Sequence, residues 1–190
     1  MGSSLSKIVA LLLSVLLLFI FPILNMFEKQ DDTTQVFVLT ETTKFVDSVR
    51  SLGYITPTMY REFTNKLAAT NNIYEIEMEH YHRKFDPIYE YDYSAPAPTP
   101  TFMNDFNVNY RAYYTDDIMD VLFPATPTTS PTSSVKDSYY KMSKGDYFAV
   151  KVKNKNKTIA TKIQEMLYNA DFITAKILVK YGGMVKDENY

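Results

Sequence analysis

The strongest constraint on this chain is an uncharged run of twenty residues, Ile8 to Phe27, near its N-terminus. At a rise of about 1.5 Å per residue, a helix of this length covers roughly 30 Å, the thickness of the hydrocarbon core of a bilayer. We therefore predict a transmembrane helix over 8–27, with the lipid bilayer as partner. The side chains expected to hold this anchor in lipid are Ile8, Leu12, Leu16, Phe19, Leu24 and Phe27.

Charges on the two sides of this run predict its orientation. Lys7 and the amino terminus precede it, whereas Glu28, Lys29, Asp31 and Asp32 follow it and sum to −2. By the positive-inside rule, residues 1–7 are cytoplasmic and the rest of the chain after the single pass lies outside the cell membrane. A cleaved secretory signal is the alternative, but the run exceeds the usual apolar length and no small-x-small site follows it.

Composition excludes several classes of function. The chain of 190 residues has no cysteine, which removes disulfides, cysteine zinc sites and thiol nucleophiles. Its net charge of −2 lacks the basic footprint of a nucleic-acid-binding protein. It also has no phosphate loop, no HExxH, no G-x-S-x-G and no dinucleotide fingerprint. We therefore expect no enzyme, no cofactor, no nucleic acid and no small-molecule substrate.

Helical spacing continues beyond the apolar run, through a membrane-proximal region at 28–70. Gly53 stands where a helix C-cap is expected, and Thr56 followed by Pro57 begins a second helix that reaches about residue 69. The apolar residues on the stretch 33–52 are candidates for contact with partner proteins. They are Val36, Leu39, Val46 and Val49.

An α+β domain is predicted for residues 71–190. Glutamates alternate with apolar residues over 73–83, and lysines alternate in the same way over 147–153 and 174–181. Opposite charges on neighbouring strands stabilise a sheet, so the glutamate strand is expected beside a lysine strand. With a further strand at 105–114 and helices at 115–123 and 157–168, we expect a small, mostly antiparallel sheet of about four strands with helices on one face.

Two proline-rich stretches, 86–101 and 124–134, are predicted to be flexible loops. The first is also rich in tyrosine. Its Tyr89, Tyr91 and Tyr93 are candidates for contact with a partner protein.

The two histidines of the chain, His80 and His82, fall on one face of the predicted glutamate strand. Two imidazoles at positions i and i+2 form half of a metal site. The sequence identifies no third ligand, so we favour a structural role at the end of an apolar strand face. A metal-dependent enzyme using these histidines is the competing hypothesis.

Residues 39–80 resemble the membrane-proximal part of TadE/TadF-like pseudopilins of Gram-positive, Clostridia-type bacteria. The similarity lies in the pattern TxxFVxxVRxxGYI, a Tyr-x-x-Phe helix and a strand that ends in Glu-His. It implies a structural or assembly component of a Tad-type pilus or secretion apparatus that contacts other pilin-like or apparatus subunits.

One position departs from the type IV pilin pattern that this resemblance brings with it. The family has glutamate five residues after the glycine at the processing site, whereas Lys7 follows Gly2 at that distance. The resemblance therefore favours an uncleaved, anchored accessory subunit over a polymerising pilin. The alternative function is an extracytoplasmic binding domain anchored in a conjugation or cell-envelope complex.

Overall fold

The computed structural model describes residues 2–93, 99–124, 139–172 and 176–188, and it has the predicted α+β fold. Four helices are present in these ranges: α1 Gly2–Leu52, α2 Pro57–Ala68, α3 Thr115–Leu122 and α4 Ile159–Tyr168. The strands of the same ranges are β1 Tyr54–Ile55, β2 Tyr74–Asp92, β3 Thr99–Tyr114, β4 Tyr140–Lys141, β5 Tyr147–Asn154 and β6 Leu178–Met184.

The helix α1 is continuous from the apolar run into the domain and contains Pro22. It ends as the sequence predicts, because Gly53 has a positive φ of 77° and its N–H donates to the Val49 carbonyl at 2.8 Å. The helix α2 begins at its predicted cap, where the Thr56 hydroxyl accepts the N–H of Met59 at 3.1 Å.

The main sheet has four antiparallel strands in the order β3-β2-β5-β6. The expectation of adjacent glutamate and lysine strands is confirmed. Lys151 pairs with Glu77 at 2.7 Å, Lys153 with Glu75 at 2.6 Å, and Lys180 of β6 with Glu79 at 3.1 Å. These pairs lie on the solvent-facing side of the sheet.

The opposite face of the sheet packs against the second half of α1 and against α2. Phe45 of α1 stacks on Phe63 of α2 with a centroid distance of 4.5 Å and meets the edge of Phe148 of β5 at 6.5 Å. The rest of this core is apolar, including Val38, Met78, Val150, Val152, Ile177 and Val179. The layer arrangement therefore follows from alternation on the strands and the apolar stripe of α1.

The predicted loop at 86–101 is wrong over most of its length. Residues 86–92 belong to β2 and residues 99–101 to β3, so this region is a long hairpin; 94–98 lie outside the described residues. Prolines are tolerated here because β2 has no β5 partner after Tyr81 and β3 is an edge strand, so each strand of the hairpin has one unpaired edge at which a missing N–H is harmless. Of the second predicted loop, only Pro124 is described, and 125–134 lie outside.

Candidate functional site

The first half of α1 projects from the domain as an apolar rod. Among the described residues, α1 is the one helix long and apolar enough to cross a membrane, and 6% of its most apolar window is buried. Four of the predicted anchor residues are exposed, namely Ile8, Leu12, Leu16 and Phe19. The other two, Leu24 and Phe27, require a correction: Leu24 is buried against the protein itself, with 9% exposure, and Phe27 is half-buried.

The predicted contact residues on the second half of α1 divide into two groups. Val36 and Leu39 are exposed, as a contact surface requires. Val46 and Val49 are completely buried in the core, so the expectation that they contact a partner must be corrected. The sequence showed their apolar character but not which side of the helix the sheet would cover.

The hairpin formed by residues 82–92 of β2 and 99–110 of β3, here called the arm, projects beyond the sheet. At about 3.3 Å per residue, its β2 half extends roughly 35 Å. Directly paired residues share a face of an antiparallel ribbon, and most of the pairs on one face are aromatic or apolar. Phe85 pairs with Val108, Pro87 with Phe106, and Tyr89 with Phe102.

This aromatic face of the arm also carries Tyr91, and Tyr93, the residue after β2, lies next to Tyr91. Tyr93 is 77% exposed, and the rings of Tyr91 and Tyr93 are 6.2 Å apart. The opposite face is mostly polar, with Glu90 paired to Thr101. A free hairpin with one apolar face is marginally stable in water, so covering that face would stabilise the arm.

The arm leaves the domain at the end opposite the apolar rod. Tyr81 is the last residue of β2 that pairs with β5. It pairs with Tyr147, which in turn pairs with Met184 of β6, so the three residues form one row across the sheet. The Arg50 side chain reaches this row, because its Nε donates to the Met184 carbonyl at 2.9 Å. Arg50 is 22 residues beyond Glu28, which places the base of the arm roughly 33 Å from the end of the apolar run.

His80 and His82 converge on Asp146, a residue that the sequence analysis did not select. His80 Nε2 is 2.9 Å from Asp146 Oδ2, and His82 Nδ1 is 3.0 Å from the same oxygen. Asp146 also accepts the backbone N–H groups of Arg83 at 3.0 Å and Ser143 at 2.8 Å. This histidine cluster joins β2 to the turn before β5. The turn residue Gly145 is a signal that could have pointed to Asp146, but the separation of 66 positions between His80 and Asp146 hid the pairing.

Protonation in the cluster follows from its hydrogen bonds. An ionised carboxylate only accepts, so His80 Nε2–H donates to Asp146, and His80 Nδ1 accepts the Tyr140 hydroxyl at 2.6 Å. Burial lowers the pKa of His80, and this outweighs the opposing effect of Asp146. Burial alone would raise the pKa of Asp146, but its hydrogen bonds with both histidines and both backbone amides hold that pKa below its ordinary value.

The same three side chains have the ligand types of a small divalent cation. Their donor atoms lie within 4.8 Å of one another, so Asp146 could supply the third ligand that the sequence left open. The hydrogen bonds already satisfy the cluster as it stands. Burial raises the pKa of Tyr140, which keeps the phenol protonated and unsuited to act as a nucleophile. The geometry favours the structural role.

No family model, no curated protein and no solved structure matches this chain. The apolar rod, the arm and the histidine cluster are the features from which its function is inferred. The rod and the arm are exposed surfaces suited to binding, whereas the histidine cluster holds the base of the arm in place.

Proposed function

We propose that this protein is a single-pass, membrane-anchored, pseudopilin-like structural or assembly component of a Tad-type pilus or secretion apparatus. It acts through protein–protein contacts. The observation that carries the proposal is α1, a single helix of 51 residues whose first half is exposed and apolar and whose second half packs on an antiparallel sheet. A membrane helix that runs into a small α+β domain is how type IV pilins and pseudopilins are organised.

The proposed orientation places residues 1–7 in the cytoplasm and the domain outside. Lys7 precedes the apolar run, and the four charged residues after it sum to −2, so the basic side is the N-terminal one. Lys7 also stands at the position where pilins carry a glutamate. That glutamate neutralises the charged N-terminus of the neighbouring subunit in the filament. An anchored accessory subunit therefore fits better than a polymerising one.

The arm is the proposed contact surface for another subunit. Tyrosine, phenylalanine and methionine are enriched in the cores of protein interfaces, and the arm exposes Tyr91, Phe106 and Met103. Because the arm points away from the apolar rod, lipid of the anchoring membrane is not its partner. The occupant expected here is a pilin-like or apparatus protein.

A photo-crosslinking amino acid placed at Tyr91 in the full chain, in its native membranes, tests this proposal. The matched control is the same amino acid at Glu90, the adjacent residue on the polar face of the arm. Crosslinks from position 91 to a pilin-like subunit or a pilus platform protein, absent from position 90, are expected. Equal crosslinking from both positions, or none from either, would contradict the proposal.

The exposed arm also supports the alternative function, an extracytoplasmic binding domain anchored in a conjugation or cell-envelope complex. The arm then serves as the recognition element, and its tyrosines make the contact. The identity of the protein crosslinked from Tyr91 separates the two: a conjugation or envelope component favours the alternative.

A further inference from the structure

The helix α4 approaches the apolar half of α1 as it proceeds. At its start, the Thr158 hydroxyl donates to Asp31 Oδ2 at 2.7 Å. Six residues later, Gln164 Nε2 donates to Glu28 Oε1 at 2.6 Å. The contact thus moves three residues along α1 toward the predicted membrane span, and residues 166–168 form the next turn of α4. The chain then turns at Asn169, and Asp171 and Phe172 lie back beside Lys157 and Glu165.

Burial on α1 shows that the domain reaches below the end of the apolar run. Ile20 and Phe27 are half-buried and Leu24 is buried, whereas Phe21, Ile23 and Met26 between them are exposed. Positions 20, 24 and 27 form one stripe of a helix. Leu24 lies about 4.5 Å and Ile20 about 10 Å below Phe27 along the axis. Part of the domain therefore lies beside the apolar run, and α4 is the element of the domain that packs against α1 at this end.

The end of α4 and the residues after it, 166–172, are here called the foot, and they expose apolar side chains at this level. Met166 is 86% and Tyr168 65% exposed, and Leu167 and Phe172 are also exposed. Tyr168 and Phe172 meet edge to face at 6.3 Å. A tyrosine among exposed apolar side chains is typical of the membrane–water interface.

Two lysines near the foot are already paired within the protein, whereas Lys162, one turn before Met166, is exposed. Lys157 contacts Glu165 at 2.6 Å and Asp171 at 2.5 Å, and Lys176 contacts Asp31 at 3.3 Å. No basic patch for anionic lipid is therefore formed by these residues. Apolar insertion, and not attraction to charged headgroups, is the interaction that this surface fits.

We propose that the foot enters the outer interface of the same membrane that α1 spans, as a second attachment beside the helix. The inference rests on the proposed function, because it requires the apolar half of α1 to be in the bilayer. Two points of contact fix the tilt and rotation of the domain, which a single helix leaves free. The arm then points away from the membrane surface.

Fluorescence quenching tests the foot in the full chain reconstituted in phosphatidylcholine vesicles. The chain has no cysteine, so an environment-sensitive dye can be attached to one introduced thiol at a time. Met166→Cys reports on the foot, Leu13→Cys on the middle of the apolar run, and Thr101→Cys on the arm. Each side chain is exposed, so the substitutions leave the core intact.

The expected result is a blue-shifted dye at position 166 that loses fluorescence to lipid-borne quenchers placed near the headgroups. The dye at position 13 should respond to quenchers placed deeper, and the dye at position 101 to neither. If the dye at position 13 is quenched and the dye at position 166 behaves like the one at position 101, the foot does not enter the membrane, although α1 spans it. If position 13 also escapes quenching, the anchor itself fails, and the foot fails with it.

Discussion

The substitution Asp146→Asn tests the role assigned to the histidine cluster. Asp146 is 1% exposed, and its two oxygens accept hydrogen bonds from His80, His82 and the backbone amides of Arg83 and Ser143. Asparagine has nearly the same shape. It replaces one accepting oxygen with an NH2 group, which then faces donors, and it removes the charge.

The magnitude follows from the number and kind of bonds lost. A hydrogen bond to a charged group contributes about 1.5–3 kcal/mol. Asp146→Asn weakens four such bonds by removing the charge and turns an NH2 group toward donors, and bonds within one network do not add independently. We therefore expect Asp146→Asn to lower the free energy of unfolding by about 3–5 kcal/mol, a large part of the usual total of about 5–15 kcal/mol.

Urea unfolding of the full chain in detergent micelles measures this loss. The chain has 16 tyrosines and no tryptophan, so tyrosine fluorescence and circular dichroism are the signals to follow. The matched control is Asp86→Asn, a partly exposed carboxylate on the arm that contacts Lys84 at 2.6 Å and Asn109 at 2.9 Å. That change should cost much less, because an exposed ion pair is screened by water and adds little to stability. A loss for Asp146→Asn no larger than for Asp86→Asn would refute the structural role.

Three further predictions concern the same domain. Because the pKa of His80 is lowered in the folded protein, the unfolded chain binds more protons near and below about pH 6.5. The free energy of unfolding should therefore fall as the pH is lowered from about 7.5 to about 5.5. A constant or rising free energy of unfolding would contradict this. Phe45→Ala should cost about 3–5 kcal/mol, because it empties the stack on Phe63, and a loss under about 1 kcal/mol would be inconsistent with that packing. Gly182→Val should cost about 1–3 kcal/mol or more, because an added Cβ would lie 2.5 Å from the Ala149 Cβ; unchanged thermal stability would show that the strands separate easily.

Much of the fold could be predicted because local signals agreed with it. The caps at Gly53 and Thr56 mark helix ends through backbone geometry that only neighbouring residues determine. The glutamates of β2 and the lysines of β5 and β6 alternate in complementary patterns, and their pairing in the sheet follows from charge. In both cases the residue types and their spacing along the chain are enough to predict the interaction.

The arm could not be predicted because its prolines have two physical interpretations. Pro87 and Pro100 disfavour a central strand, and this favoured a loop. Their missing N–H groups are harmless on a ribbon whose outer edges are unpaired, and that depends on where β5 ends. The alternation of Phe85, Tyr89 and Tyr91 was the signal that indicated a strand.

The sites depended on contacts between residues distant in sequence. Nothing near His80 indicates that Asp146 will meet it, because the turn at Gly145 has to place that carboxylate across the sheet. The burial of Val46, Val49 and Leu24 likewise depends on which face of α1 the sheet and α4 cover. Hydrophobicity predicted that these residues would be covered, but not by what.

Thiol labelling in intact cells tests the central proposal, a membrane anchor with an outward-facing domain, most directly. Single cysteines at Ser6 and Thr101 lie on opposite sides of the apolar run in the cysteine-free chain. A membrane-impermeant maleimide should label position 101 in intact cells and position 6 only after the membrane is opened. Labelling of position 6 alone in intact cells, or recovery of the chain free of the membrane, would contradict the account.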